Sequence, residues 1–560
     1  MPATSARGSA TNGRCGRCAS GSKPPETRHD FALRTHGAMN QPAAQLRDLL
    51  ASAESYAARR DWPRAIESYE SFLKQRPGDA FAMVQLSYVH SLAGHYRAAR
   101  DYALRAAALR PTDSKVLPEL IARLRTFNEG DAFHDCLARL PPLSRVEIPL
   151  LLAFAAQLSY LNEQERAIAF LDEAKSADPD YPPTLLSRSQ VLTYLGRFDE
   201  AEEDLRRVLA RAPEIAQTYW LVSRLRKQTS ASNHVDAIRR QLARPGRNPD
   251  ETALLANALH KELDDLGDYE GAWEALEQSN RAKRSRLSYR AEDSRALVDG
   301  LIGLPLPPRG PSFQSFDSER TPIFIVGMHR SGTTLLEQLL DGHSQVRGVG
   351  ELYDFTSQMR YATDHHCRGV IDATVVERAR GIDFGAVGAG YLKGMQWRLG
   401  DERCFTDKLP SNFLNAGFIC RALPQAKLLH MVRDPVETCF SNLRELFSDA
   451  NPYSYDQGEL ADFYRQYRRL MAHWHQACPG RILDVDYAEL TREPEAVVRR
   501  VAGFCGLAYE PAMLELQQRS RGVATASAVQ VRSKVTALER PKWAPYESKL
   551  GPLIGALEVV

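Results

Sequence analysis

The chain has 560 residues, too many for one ordinary core, so two to four domains are expected. Lys and Arg number 72 against 70 Asp and Glu, and the formal charge of +2 gives no electrostatic case for a nucleic-acid polymer as partner. Nine cysteines are too few for a disulfide scaffold, and no apolar run approaches the roughly 20 residues of a membrane-spanning helix.

Residues 1–44 are rich in Gly, Ser, Thr and Arg and read as a disordered tail. Cys15 and Cys18 form a C-x-x-C there, with only His29 and His36 near enough to help. That set falls short of a zinc knuckle, and no metal is assigned. The first 20 residues lack a hydrophobic secretion segment, which points to a cytoplasmic protein, and Met39 is an alternative start. The remaining cysteines sit singly in mostly apolar surroundings and read as buried small hydrophobes.

Residues 45–295 repeat themselves. Trp62, Tyr96, Gln164 and Phe198 are each followed three residues later by Ala65, Ala99, Ala167 or Ala201, and fifteen residues later by Pro77, Pro111, Pro179 or Pro213. Trp62 and Tyr96 lie 34 residues apart, as do Gln164 and Phe198; Tyr269 and Ala272 restart the pattern, and 114–145 and 214–260 are degenerate. The physical reading is a pair of antiparallel helices per repeat. The alanine permits close helix approach, the aromatic fills the gap beside it, and the proline ends the unit. In IESYESFL (66–73), Ile66, Tyr69, Phe72 and Leu73 share one helical face. Such hairpins bury their apolar faces only by stacking into a solenoid. This pattern resembles the tetratricopeptide repeat. The resemblance implies a concave surface for an extended acceptor peptide, a protein or another partner. Two further readings stay open, in which the array stabilises the second half or makes a homodimer.

GLPLPPRGPSFQSFDSERTP (303–322) is dense in Pro, Gly and Ser and marks a boundary, with the linker set at 296–320 and a second domain at 321–560. IFIV (323–326) suits a buried parallel strand, and LLEQLL (335–340) reads as a helix. Between them Gly327-Met328-His329-Arg330-Ser331-Gly332-Thr333-Thr334 has the spacing of a phosphate loop, whose N–H groups and helix end point at an anion. Thr333 stands where a nucleoside-triphosphatase carries lysine, which argues against a kinase and places the cationic role on Arg330 or elsewhere.

KLLHMV (427–432) is a second strand, leading to Arg433-Asp434-Pro435 and a helix over 436–447. Arg433 lies where parallel sheets place ligand contacts, and Ser441, two helical turns on, is set to reach the same phosphate; the alternative for Arg433 is a pair with Asp434. RILDVDY (481–487) is a third strand, followed by a helix around 494–504. The expected class is therefore multidomain: an all-α repeat solenoid, then an α/β domain built on a parallel sheet.

Three ordered segments resemble the sulfotransferase superfamily, and within it bacterial repeat-fused members and protein-tyrosine sulfotransferases. PIFIVGMHRSGTTLLEQLLDGHSQV (322–346) is similar to the family's 5'-phosphosulfate loop, HMVRDPVETCFSNL (430–443) to its 3'-phosphate segment, and TASAVQVRSKV (525–535), with Trp543 and Tyr546 after it, to its nucleotide-closing region. The resemblance implies a P-loop-like domain using 3'-phosphoadenosine 5'-phosphosulfate (PAPS), with no metal. Gly327, His329, Arg330, Ser331, Gly332, Thr333 and Thr334 would then hold the 5' side, Arg433 and Ser441 the 3'-phosphate, and Arg532 and Lys534 would close over the nucleotide. It further implies Glu351, in GVGELYDF (348–355), as general base, with Lys408, in FTDKLPSNF (405–413), and Arg330 stabilising charge. Asp407 is an alternative partner for Lys408. The acceptor hydroxyl is a protein tyrosine, a carbohydrate or a small alcohol, and a noncatalytic scaffold is the competing class.

Overall fold

The structure, a computed structural model, describes residues 41–305, 320–516, 522–525, 529 and 540–558. The C-x-x-C of the tail, Arg532 and Lys534 lie outside them.

Helix pairs occupy the first half. They are Gln41–Ala58 with Trp62–Gln75, Ala80–Leu92 with Tyr96–Ala108, and Leu117–Thr126 with Gly130–Ala138. Next come Ile148–Tyr160 with Gln164–Ala177, Pro182–Leu195 with Phe198–Arg211, Ala216–Leu225 with Val235–Leu242, and Pro249–Leu266 with Tyr269–Arg284. Helix Trp62–Gln75 starts where the Asp61 carboxylate accepts from the Arg64 N–H, and it buries Ala65, Tyr69, Phe72 and Leu73. The turn inside most pairs holds one residue in the left-handed region. Arg60 (φ 61°), Gly94 (88°), Asn128 (58°), Asn162 (65°) and Gly196 (78°) follow one another at 34-residue intervals, and Gly267 (81°) repeats the device. Gly and Asn tolerate this conformation best.

The stretch 114–145 lacks the repeat signature and still folds as a repeat. Gly130 stands where the aromatic is expected, and a Cβ there would lie 2.3 Å from the Trp397 ring. The bulky ring is thus supplied by a distant part of the chain, and it also meets His134 edge-on at 4.7 Å. The linker range differs from expectation as well, because helix Ala291–Ile302 covers its first residues.

The second half contains a five-stranded parallel sheet: β1 (Thr321–Gly327), β2 (Val346–Gly348), β3 (Cys404–Asp407), β4 (Lys427–Val432) and β5 (Ile482–Asp486), in the order β2-β3-β1-β4-β5. Along β1 the side chains alternate between two cores. Ile323 and Ile325 pack with Leu336, Leu339, Val497 and Val501, while Phe324 and Val326 share a cluster with Trp273, Leu276 and Leu301 of the first half. Phe324 meets the rings of Phe355 and Tyr391 directly, and the cluster continues from there into the last repeat helices, so the two halves share a core. Cys420 and Cys478 depart from the expectation of isolated thiols, since each shifts the titration of the other, Cys420 upward and Cys478 downward.

Burial pulls His90 and His260 down to about 4 and His366 to about 3, from an ordinary 6.5. These imidazoles stay neutral in the fold and take up protons on unfolding. Their contribution is fully present above pH 6.5 and is lost as pH falls toward their folded values. The thermal midpoint should therefore drop between pH 6.5 and about 5, above the range where most carboxylates titrate. A calorimetric midpoint that stays flat across that interval would contradict this.

Candidate functional site

The first strand of the sheet leads into a glycine-bounded turn at the N-terminus of a helix. β1 ends at Gly327 (φ 151°), where a Cβ would lie 2.8 Å from the Met431 carbonyl oxygen, so only glycine fits without movement. Gly332 (φ 110°) caps helix Thr333–Leu340 at its N-terminus, and a Cβ there would meet the Tyr487 ring at 2.4 Å. Thr333 and Thr334 are the first helical residues, both buried, and the Thr334 hydroxyl lies 3.5 Å from that of Thr525. The Ser331 hydroxyl is buried and has no hydrogen-bond partner among the described residues. A buried oxygen left in that state suits a ligand oxygen beside it.

Arg330 adopts φ 66°, a left-handed conformation unusual for a residue with a long side chain. Its carbonyl oxygen accepts from Arg433 Nη1 at 3.0 Å, its Nε lies 3.4 Å from Ser441 Oγ, and its Nη1 lies 3.8 Å from Glu445 Oε2. Ser441, Arg433 and Arg330 are thus brought together. Arg433 pairs with Glu437 at 2.9 Å; Asp434, the alternative partner, instead caps the following helix by accepting from the Glu437 N–H. Burial lowers the Arg330 pKa, Glu445 opposes that, and Arg224, Arg433 and Arg444 push it down further. Burial lowers that of Lys542 too, aided by Arg444, Arg330 and Arg433. The cluster is partly neutralised, since Arg224 pairs with Glu445 at 2.8 Å and Arg444 with Asp264 at 2.7 Å. Arg224, Arg444 and Lys542 have no sequence signal, because they come from three remote segments.

Glu351 and Lys408 follow the ends of β2 and β3. Lys408 is wholly buried, and its Nζ donates to Glu351 Oε1 at 2.6 Å. Its sequence neighbour Asp407 is held by the Tyr391 hydroxyl at 2.9 Å, and burial drives that carboxyl well above its ordinary range. The pairing with Asp407 weighed for Lys408 is therefore replaced by one with Glu351. His329 joins this group electrostatically. Burial pulls it to about 4; Lys408 and Arg330 act in the same sense, and Glu351 opposes them. Its carbonyl accepts from Asn442 Nδ2 at 2.7 Å, and its Nδ1 lies 3.2 Å from the Tyr453 hydroxyl. Tyr546, expected in a nucleotide-closing role, is buried, and its hydroxyl donates to Asp264 at 2.6 Å, anchoring the C-terminus to the repeats.

Among the described residues, His430, His475 and Asp484 are the one group of three potential metal ligands. Both imidazoles lie 2.8 Å from Asp484 Oδ1, and His430 also meets the Tyr467 hydroxyl. These polar atoms satisfy one another at the edge of the sheet, where His430 and Asp484 are register partners on β4 and β5.

Two family models match the chain: a sulfotransferase family over residues 322–511 and a tetratricopeptide repeat over 29–214. An uncharacterised protein of Aquifex aeolicus is 29% identical over 412 residues, which is 71% of this chain and 53% of that protein. Protein-tyrosine sulfotransferase 2 of Gallus gallus is 25% identical over 209 residues, 36% of this chain and 56% of that protein. The chain thus spans about half the length of these relatives. The solved sulfotransferase of Alicyclobacillus acidocaldarius superposes with a TM-score of 0.25 at 17% identity, covering 43% of this chain and 95% of that one. No described helix is long and apolar enough to cross a membrane. The protein therefore joins a tetratricopeptide-like repeat region to a sulfotransferase-fold domain, at distant and partial similarity to named sulfotransferases.

Proposed function

We propose that this protein is a PAPS-dependent sulfotransferase acting on a hydroxyl acceptor. The observation that carries the reading is the Lys408–Glu351 pair, 2.6 Å apart, standing beside a lysine-free phosphate loop ringed by cations. The donor fits these residues. It has no β/γ-phosphate pair to require the missing loop lysine, and its phosphates and sulfate suit the crowded guanidinium groups and the unpartnered Ser331 hydroxyl. In this reading Gly327, Ser331, Gly332, Thr333 and Thr334 hold the 5' side through the loop and helix end, with Arg330 beside them and Arg433 and Ser441 on the 3'-phosphate. Arg532 and Lys534 keep their proposed closing role. PAPS supplies an activated sulfuryl group for in-line transfer.

The chain's own residues would then handle the proton and the charge. Glu351 takes the acceptor's hydroxyl proton on a carboxylate oxygen as that hydroxyl becomes a nucleophile. Lys408, itself wholly buried, keeps an amino group beside it, where negative charge develops. His329, whose Nδ1 lies 3.2 Å from the Tyr453 hydroxyl, serves in this reading as a hydrogen-bonding contact, with Glu351 as the base. The chicken relative makes a tyrosine phenol the first acceptor class to try, ahead of carbohydrate or small alcohols.

Isothermal titration with PAPS or 3'-phosphoadenosine 5'-phosphate, followed by labelled-sulfate transfer to tyrosine-containing peptides and a lysate, tests the reading. Absence of binding to either nucleotide overturns it. Gly332→Ala is expected to abolish nucleotide binding and to cost about 1–3 kcal/mol of stability, since it combines a left-handed φ with a Cβ against Tyr487. Thermal melts with and without nucleotide check this; a variant still stabilised by ligand would refute it.

A further inference from the structure

The turn residues of successive repeats meet the sulfotransferase domain in order. A Cβ on Gly94 would face His365, Asn128 Nδ2 donates to Ser357 Oγ at 2.8 Å, and Asn162 Nδ2 donates to the carbonyls of Val349 (3.1 Å) and Glu351 (3.3 Å). One repeat further on, the Tyr194 carbonyl accepts from the Val523 N–H at 2.8 Å. The array lies along the domain by its turn edge, and one rung of that ladder falls at the proposed base.

We propose that Asn162 is a positioning residue for Glu351, making the repeat region a working part of the transfer site; this rests on the sulfotransferase reading above. The Glu351 side chain is 38% exposed, so burial does not aim it. Its direction depends on Lys408 and on the backbone that carries it. That backbone is clamped from both halves. The Gly350 N–H donates to Glu337 Oε1 at 2.8 Å, and its carbonyl accepts from the Lys408 N–H at 3.0 Å. The Asn162 carboxamide spans the carbonyls on either side of Gly350. Gly350 itself is left-handed (φ 81°), and a Cβ there would lie 3.0 Å from Asn162 Nδ2, so the two residues fit closely. Asparagine combines the two properties required, tolerance of the left-handed turn and an amide with two donors. Glycine at Gly94 and Gly196 meets the first requirement only. The charge of Glu351 also acts on Tyr194 of the following repeat.

Asn162→Gly keeps the turn conformation and removes the carboxamide; Asn128→Gly makes the same change one repeat earlier, against Ser357. With PAPS and a transferring acceptor, Asn162→Gly is expected to lower kcat about 10- to 100-fold while leaving the nucleotide Kd and the acceptor KM near wild type. Asn128→Gly should leave kcat within about twofold of wild type. Equal kcat in the two variants would overturn the positioning role. So would parallel loss of stability, nucleotide affinity and turnover in Asn162→Gly, which marks a merely structural contact. A wild-type protein that binds PAPS and transfers nothing to any acceptor would overturn the transferase reading itself, before the variants are compared.

Discussion

Glu351→Gln is expected to cut sulfate transfer about 10²- to 10⁴-fold, the range that one positioned proton acceptor commonly supplies. Glutamine preserves the size of the side chain and can still accept a hydrogen bond from Lys408 through its amide oxygen. What it lacks is an oxygen able to take the acceptor's proton. The affinity for 3'-phosphoadenosine 5'-phosphate should stay near wild type, because Glu351 lies beyond the loop that would hold the phosphates. The measurement is a pair: labelled-sulfate turnover and nucleotide titration on the same preparation. Turnover close to wild type would remove Glu351 from the chemistry and return attention to His329.

Arg433→Ala is expected to act on the donor. Arg433 does three things at once: it supports the carbonyl of the left-handed Arg330, pairs with Glu437 at 2.9 Å, and lies 4.4 Å from the centre of the Tyr487 ring. That ring in turn covers Gly332. Removing the guanidinium takes away a positive charge, frees the strained peptide of Arg330 and leaves Glu437 buried with less compensation. Hydrogen bonds to charged groups contribute about 1.5–3 kcal/mol, so the nucleotide Kd should rise about 10- to 100-fold. Turnover at saturating donor should fall much less than in Glu351→Gln. A Kd within about threefold of wild type would contradict the assignment of Arg433 to the 3'-phosphate.

The parts of this protein that were legible in sequence are those whose signal is local. The apolar runs of β1, β4 and β5 are long enough to stand out, and KLLHMV coincides with its strand. β2 and β3 have only three and four residues, too few for a period, yet they carry the segments that end in Glu351 and Lys408. Those two residues came from likeness to a family, and their approach to each other depends on a register no local pattern reveals. The third repeat was hidden for a different reason. Its aromatic position is Gly130, and the ring that fills the space is Trp397, so the motif is completed only in three dimensions. The cations Arg224, Arg444 and Lys542 converge from a repeat helix, the end of another helix and the C-terminal segment. Asn162 did leave a trace, since it recurs 34 residues after Asn128 at the turn, but period alone does not say which rung faces a reactive group.

The evenly spaced turns have a consequence for how this architecture can change. A free solenoid gains or loses whole units with little penalty, because each unit contacts only its neighbours. Here the units are indexed against a second body, with Asn128 opposite Ser357 and Asn162 opposite Glu351. Deleting one unit between Arg60 and Asn128 would leave Asn162 opposite Glu351, at the cost of the contacts that the Gly94 repeat makes with residues 361–365. Deleting one between Asn162 and the helices that share the sheet's core would slide every preceding rung by one place and present a different turn to Glu351. A change of copy number on the N-terminal side of Asn162 therefore spares the rung at Glu351 and disturbs only the contacts at Ser357 and residues 361–365, whereas one on the other side moves the rung at Glu351 itself.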